Sequence, residues 1–310
     1  MDIFAGSGIW ASMLRIATPV TLAAMGGLLC QRAGVFNIAL EGCMLAGAFS
    51  GIAVVQYTGG SVTAGMFGAV AAGMLLGAIF ALSVVQFRAN QIIAGIAVNM
   101  LCLGLTSYLL RSLFKVQGVI RPKVIDKLAP VGIGPLADVP FLGEMLGGQS
   151  VVAYLAIFSV FLVWLLLNKT EAGLDICAVG ESPDAARTAG ISPGAIQWAV
   201  ILACGGLCGL AGSYLSTAIV SQFSENMVQG RGFNAFTAVV FGNANPIATW
   251  LVTLLFGLAD AIGIRIELKG TGFSPSVIKM FPFALALAAL AVSSYVGKLR
   301  RASAQKAWKK

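Results

Sequence analysis

The 310-residue chain contains no histidine, and only 10% of its residues are charged. Soluble domains carry about 25% charged residues. With 58% hydrophobic residues and a mean hydropathy of +0.90, that shortage places the chain among polytopic membrane proteins before any motif is read. The missing imidazole removes the commonest general base and a common metal ligand. The sequence also lacks a Gly-x-x-x-x-Gly-Lys phosphate loop, and nothing in it reads as a nucleophile elbow. Such a chain does not hydrolyse ATP by the usual device, and any pumping needs a motor supplied from outside it. Cysteine is scarce as well: Cys30, Cys43, Cys102, Cys177, Cys204 and Cys208, nearly all inside apolar runs. Cys204 and Cys208 share a helix face, but without histidine or a companion pair they read as small packing residues. No basic stretch precedes the first apolar run, so the N-terminus does not read as a cleaved signal peptide.

What is present is apolar sequence in membrane-length pieces. A helix needs about 20 apolar residues to cross the hydrocarbon, with a range of about 17 to 25. The segments read as 16–30, beginning a few residues earlier, then 33–57, 61–87, 91–114, 150–167, 196–220, 232–242, 247–266 and 276–296. Everything between them is too short to bury a core of its own, so residues 1–310 form one membrane domain. The 38 glycines suit helices that pack closely through small residues. The 232–242 segment is too short for an ordinary span and is bounded by Gly230 and by Asn243, Asn245 and Pro246. It reads as a broken or half-depth helix, which lipid tolerates only where protein or a water-filled cavity surrounds its ends.

The net charge of +8 does not point to nucleic acid, because Lys298, Arg300, Arg301, Lys306, Lys309 and Lys310 cluster at the C-terminal end. They read as a basic juxtamembrane tail, 298–310, on the cytoplasmic side. Counting back from that tail through nine crossings puts the loop 169–195 in the cytoplasm as well; a re-entrant 232–242 would put loop and tail on opposite sides. With nine crossings, Lys115, Arg121, Lys123 and Lys127 would lie outside, against the charge bias.

A weak internal echo suggests two halves. Gly34-Val35-Phe36-Asn37 reads as opening a Gly-rich helix, and Gly232-Phe233-Asn234 opens the short one. Four segments on either side of the 150–168 span, which reverses direction, predict inverted repeats over about 9–114 and 196–297. Ionisable and polar groups within such segments are candidates for a passage. Glu41 falls seven residues past Gly34, about 10 Å along a helix, and one turn from Asn37 on the same face; a pathway role and a packing role are both open. Asp260 is similar but has Arg265 close by in sequence. Asn99, Asn234, Asn243, Phe36 and Phe233 are further candidates for lining a cavity. Gln222, Glu225, Asn226, Gln229 and Arg231 read as a solvated polar mouth.

The stretch 168–197 holds a short helix with clear punctuation: Ser182 as N-cap, Pro183 at the first helical position, Asp184 beside the positive end, and Gly190 as the stop. Ala185, Ala186 and Ala189 give it a small-residue face. Two turns are not stable alone in water, so the helix must lean on its own protein or on a partner.

These residues resemble a known family. Thr18-Pro19-Val20-Thr21-Leu22-Ala23-Ala24, Arg32-Ala33-Gly34-Val35-Phe36-Asn37-Ile38-Ala39-Leu40-Glu41-Gly42, Gly173-Leu174-Asp175 and Ala178-Val179-Gly180-Glu181-Ser182-Pro183-Asp184-Ala185-Ala186 look like the permease subunits of bacterial ABC importers. So do Gly230-Arg231-Gly232-Phe233, Phe241-Gly242-Asn243-Ala244-Asn245-Pro246 and Leu258-Ala259-Asp260-Ala261. The likeness is to the ribose and branched-chain amino acid permease group, nearest its nucleoside-uptake branch. It implies an all-α fold of inverted repeats, as in type II importers such as that for vitamin B12, in the bacterial cytoplasmic membrane. It implies ATPase subunits that hold ATP and Mg²⁺, a second permease, an extracellular binding protein and no cofactor on this chain. It also implies that the loop carrying Gly180, Glu181, Ser182, Pro183, Asp184, Ala185, Ala186 and Gly190 is the coupling helix that seats in the ATPase. Sugars or branched-chain amino acids remain alternative substrates, and an ion-coupled secondary transporter is the competing class.

Overall fold

The computed structural model describes residues 8–122, 124–126, 147–268 and 280. The expected 276–296 span, apart from residue 280, lies outside the described residues, as do the basic tail, Lys123 and Lys127. The described chain is helical apart from one two-residue strand pair. In order come α1 (Gly8–Arg32), α2 (Leu40–Tyr57), α3 (Val62–Ala81, continued by a π-helical turn Leu82–Gln86), α4 (Gln91–Phe114), β1 (Val119–Ile120), α5 (Val151–Lys169), α6 (Glu171–Glu181), α7 (Pro183–Thr188), α8 (Pro193–Ser213, continued by a π-helical turn Tyr214–Ile219), β2 (Phe223–Ser224), α9 (Arg231–Phe241) and α10 (Pro246–Leu268). Seven of these helices, α1 to α5, α8 and α10, are long and apolar enough to cross a membrane. At 11 residues, α9 is not.

Helix starts are set by side chains that accept from otherwise unpaired backbone N–H groups. Asn90 caps α4 by accepting from Ile92 and Ile93, Thr170 caps α6 through Gly173, and Asn245 caps α10 through Ile247 and Ala248. The centre of the bundle is α1: 89% of its apolar window is buried, against 28% for α4, which therefore keeps most of its surface for lipid.

Small residues decide the packing. A Cβ on Gly73 would stand 2.1 Å from the Gly205 carbonyl oxygen, and one on Gly209 would stand 2.1 Å from that of Ala69, so α3 and α8 touch backbone to backbone. Gly47 meets Gly209 and Gly51 meets Ser213, which runs α2 parallel to α8. Gly26 meets Cys204, and Cys30 Sγ points at the Val200 carbonyl, which runs α1 antiparallel to α8. Thr21 and Thr253 share a hydroxyl hydrogen bond of 2.8 Å and Gly257 lies on Met13 and Ala17, which runs α10 antiparallel to α1. The cysteines are free, and Cys30, Cys43, Cys102, Cys204 and Cys208 are buried among these contacts, as small packing residues would be.

Two expectations need correction. The 33–57 run is not one helix: Gly34 takes φ +76° and Val35 N–H donates to the Cys30 carbonyl at 2.9 Å. That is the left-handed closure that ends a helix, so Gly34 stops α1 instead of opening α2. Residues 35–39 then turn back beside α1, and Asn37 Nδ2 reaches Cys204 Sγ at 3.4 Å. Cys204 is about 16 Å along α8 from Pro193 at 1.5 Å per residue, so α2 begins near mid-depth. Glu41 is consequently the second residue of its helix, not a turn beyond Asn37. The 168–197 stretch likewise holds α6 ahead of the short helix, with Thr170 as its cap.

Candidate functional site

Two helix N-termini meet inside the bundle. α2 starts at Leu40 and α9 at Arg231, and Glu41 sits between them. Its Oε1 accepts from Gly230 N–H and its Oε2 from Gly232 N–H, both at 2.7 Å. The carboxylate therefore caps a neighbouring helix with both oxygens, where unpaired N–H groups and the helix dipole favour negative charge. Gly232 is required there: a Cβ would lie 2.5 Å from both the backbone nitrogen and the Cα of Glu41. Gly230 supplies the turn at φ +84°. Asn99 braces the same start from α4, accepting from Gly42 N–H at 2.7 Å and donating to the Ile38 carbonyl at 3.0 Å. Asn37, 3% exposed, accepts from Ala39 N–H at 3.0 Å.

Glu41, Asn37 and Asn99 are thus brought together, but by bonds to the chain itself. The aromatic pair differs. Phe36 and Phe233 are each 47% exposed, and the Phe36 ring lies 6.2 Å from that of Phe236, one turn along α9 from Phe233. Asn234 is half-buried in the same first turn. Asn243, with φ +48°, is exposed at the far end of α9, and Asp260 is half-buried in α10; the structure does not gather these two at the Glu41 junction.

The polar stretch after α8 is an ordered one. β2 pairs antiparallel with β1, Val119 opposite Ser224 and Ile120 opposite Phe223. Glu225 N–H donates to the Gly118 carbonyl, and its carboxylate stands 3.8 Å from Arg111. Beneath it Gln229 and Arg231 line a cavity of about 280 Å³ with Ile16, Leu215, Ile219 and Ile264. A run of polar residues signalled this mouth in the sequence, whereas its pairing with the loop after α4 had no local signal.

At the opposite end, where α1 and α5 finish and α8 and α10 begin, lies α7. Ser182 Oγ accepts from Ala185 N–H at 3.4 Å, Pro183 takes the first helical position, Asp184 and Arg187 pair at 3.1 Å, and Gly190 turns the chain at φ +85°. Only Ala186 is buried; Glu181, Ser182, Pro183, Asp184, Ala185 and Gly190 are exposed. Gly180 faces inward, and a Cβ on it would stand 2.0 Å from the Arg32 carbonyl oxygen.

The model of the family described as the branched-chain amino acid transport system permease component matches residues 9–290. The nucleoside ABC transporter permease protein NupC of Lactococcus lactis subsp. cremoris is 34% identical over 303 residues, 94% of this chain and 92% of the relative. The guanosine ABC transporter permease protein NupQ of Bacillus subtilis is 34% identical over 298 residues, with the same coverage of 94% and 92%. A glucose ABC transporter permease protein of Haloferax volcanii is 27% identical over 263 residues, 81% of this chain and 68% of the relative. No solved structure matches. With the family model spanning 9–290, the chain belongs to the permease-component family of branched-chain amino acid transport systems, as a multi-pass membrane permease of the ABC type.

Proposed function

We propose that the chain is the non-catalytic passage subunit of an ATP-driven nucleoside importer in a bacterial cytoplasmic membrane. Its likeness to NupC and NupQ over 94% of its length carries this reading. A second permease completes the passage, a binding protein delivers substrate from outside, and ATPase subunits hold ATP and Mg²⁺. α7 is the coupling helix: a capped two-turn helix with all but one residue exposed is suited to seat in a partner. Loop 169–195 and the C-terminal tail then face the cytoplasm.

The passage works by alternating access, built on two inverted halves of about 9–114 and 196–297 joined by the 150–168 span. The packing supports that symmetry. α3 lies on α8 while α10 lies on α1, and α2 lies on α8 while α9 lies on α1, as an exchange of halves requires. The N-termini of α2 and α9 meet at Glu41, close to where such an axis would pass. Phe36 and Phe233, matched in the two halves and both exposed, are the aromatic faces on which a base would stack. The glucose permease relative favours sugars as the second reading.

Uptake of labelled guanosine, uridine and ribose by vesicles containing the complex tests the substrate class. Guanosine and uridine entry that needs internal ATP is expected. Ribose entry alone would move the assignment to sugars, and entry driven by a proton gradient without ATP would make the chain a secondary transporter.

A further inference from the structure

The turn that closes α1 touches three elements at once. Arg32 Nε donates to the Ala244 carbonyl at 2.8 Å, in the turn between α9 and α10. The Arg32 carbonyl and Gly34 lie against Gly180, whose missing side chain permits the approach; an added Cβ would be 2.0 Å from one and 3.1 Å from the nitrogen of the other. Gln197 Nε2, near the start of α8, donates to the Ala33 carbonyl at 3.3 Å. Gly180 is two residues ahead of Ser182, the cap of α7, and Ser182 N–H donates to the Ala178 carbonyl, so α6 and α7 join without a loose linker. At its other end α9 is held by Glu41. α9 is therefore fixed at both ends, and the end nearer α7 is fixed through Arg32.

We propose that Arg32 is the positioning residue that ties α9 to the coupling helix, so that displacement of α7 reaches the interior of the membrane through Gly180, Arg32 and Ala244. This rests on the reading of α7 as the ATPase-docking helix. Contacts of this kind carry coupling when they join rigid elements: the 180–34 contact is backbone to backbone and leaves no side chain to flex, and the bond to Ala244 is made by a cation. Leaving Ala244 without that donor frees the α9–α10 turn from α1 while leaving the Glu41 cap in place.

The test uses the whole complex, purified with its ATPase subunits and reconstituted with its binding protein, and reads labelled guanosine transported per ATP hydrolysed. Arg32→Ala is expected to lower that ratio about tenfold, the lower end of the effect of one hydrogen bond to a charged group. Arg32→Lys, which keeps a cationic donor, is expected to recover part of it. A role confined to stability would lower complex yield and leave the ratio of the surviving complexes unchanged, and that result overturns the inference. If Arg32→Ala does not assemble, Arg32→Gln is read by the same ratio. Failure of the wild-type chain to bind any ATPase would overturn the docking assignment and this inference together, whereas an intact, stimulated complex with an unaltered ratio overturns only the inference.

Discussion

Glu41 shows how one residue can be recognised as important and still be misplaced. An acid within an apolar run was legible at once, because charge in lipid is costly unless it is partnered. Its partners were not legible: the N–H groups of Gly230 and Gly232 are about 190 positions away and carry no side-chain signature. Glu41→Ala leaves both donors unpaired in a half-buried site and is expected to cost about 2 kcal/mol. Thermal inactivation in detergent should show it, with transport impaired in parallel; wild-type stability and uptake would contradict the capping role. Glu41→Gln keeps one acceptor and should fall between. Gly232→Ala should fail by a different route, since its Cβ collides with the backbone of Glu41.

At the scale of elements, the short helix α7 is legible in the sequence because its signals are local. Cap, first-turn proline and closing glycine lie within nine positions, and each acts on its own backbone. Ser182→Ala is expected to cost about 1 kcal/mol of local helix stability and to weaken the stimulation of the ATPase by substrate. Glu181→Arg, or a bulky side chain at Ala185, should abolish that stimulation while insertion into the membrane stays normal; unchanged stimulation in vesicles would sink the docking assignment. By contrast the start of α2 is not legible in the sequence, because a Gly at the end of one helix and a Gly before the next look alike in a continuous apolar run. Only the left-handed angle at Gly34 separates the two.

For the whole molecule, packing rests on glycines whose partners lie on other helices. Gly209 has the Ala69 carbonyl on one side and Gly47 on another, so Gly209→Val should overpack the α2–α3–α8 contact by about 1–3 kcal/mol and reduce the yield of folded protein. Sidedness offers a second check. α1 ends beside the α6–α7 junction at one face, while the turn from α2 to α3 at Thr58 lies at the other. In a cysteine-free background, an impermeant thiol reagent applied to intact cells should label Thr58→Cys and spare Ser182→Cys. The reverse pattern would invert the molecule and remove the coupling loop from the ATPase.

The sequence by itself determined that the chain is a membrane protein, where most of its helices run, that 232–242 is too short to span, and that a capped helix lies after Ser182. Composition, hydropathy and capping are properties of neighbouring residues, so they survive without coordinates. The tertiary structure decided which polar groups are spent on holding the fold, where α2 begins, and that the α1 terminus joins α6, α8 and the α9–α10 turn. Those outcomes depend on backbone donors, missing side chains and approach distances between residues far apart in sequence, and none of these is written in residue type alone.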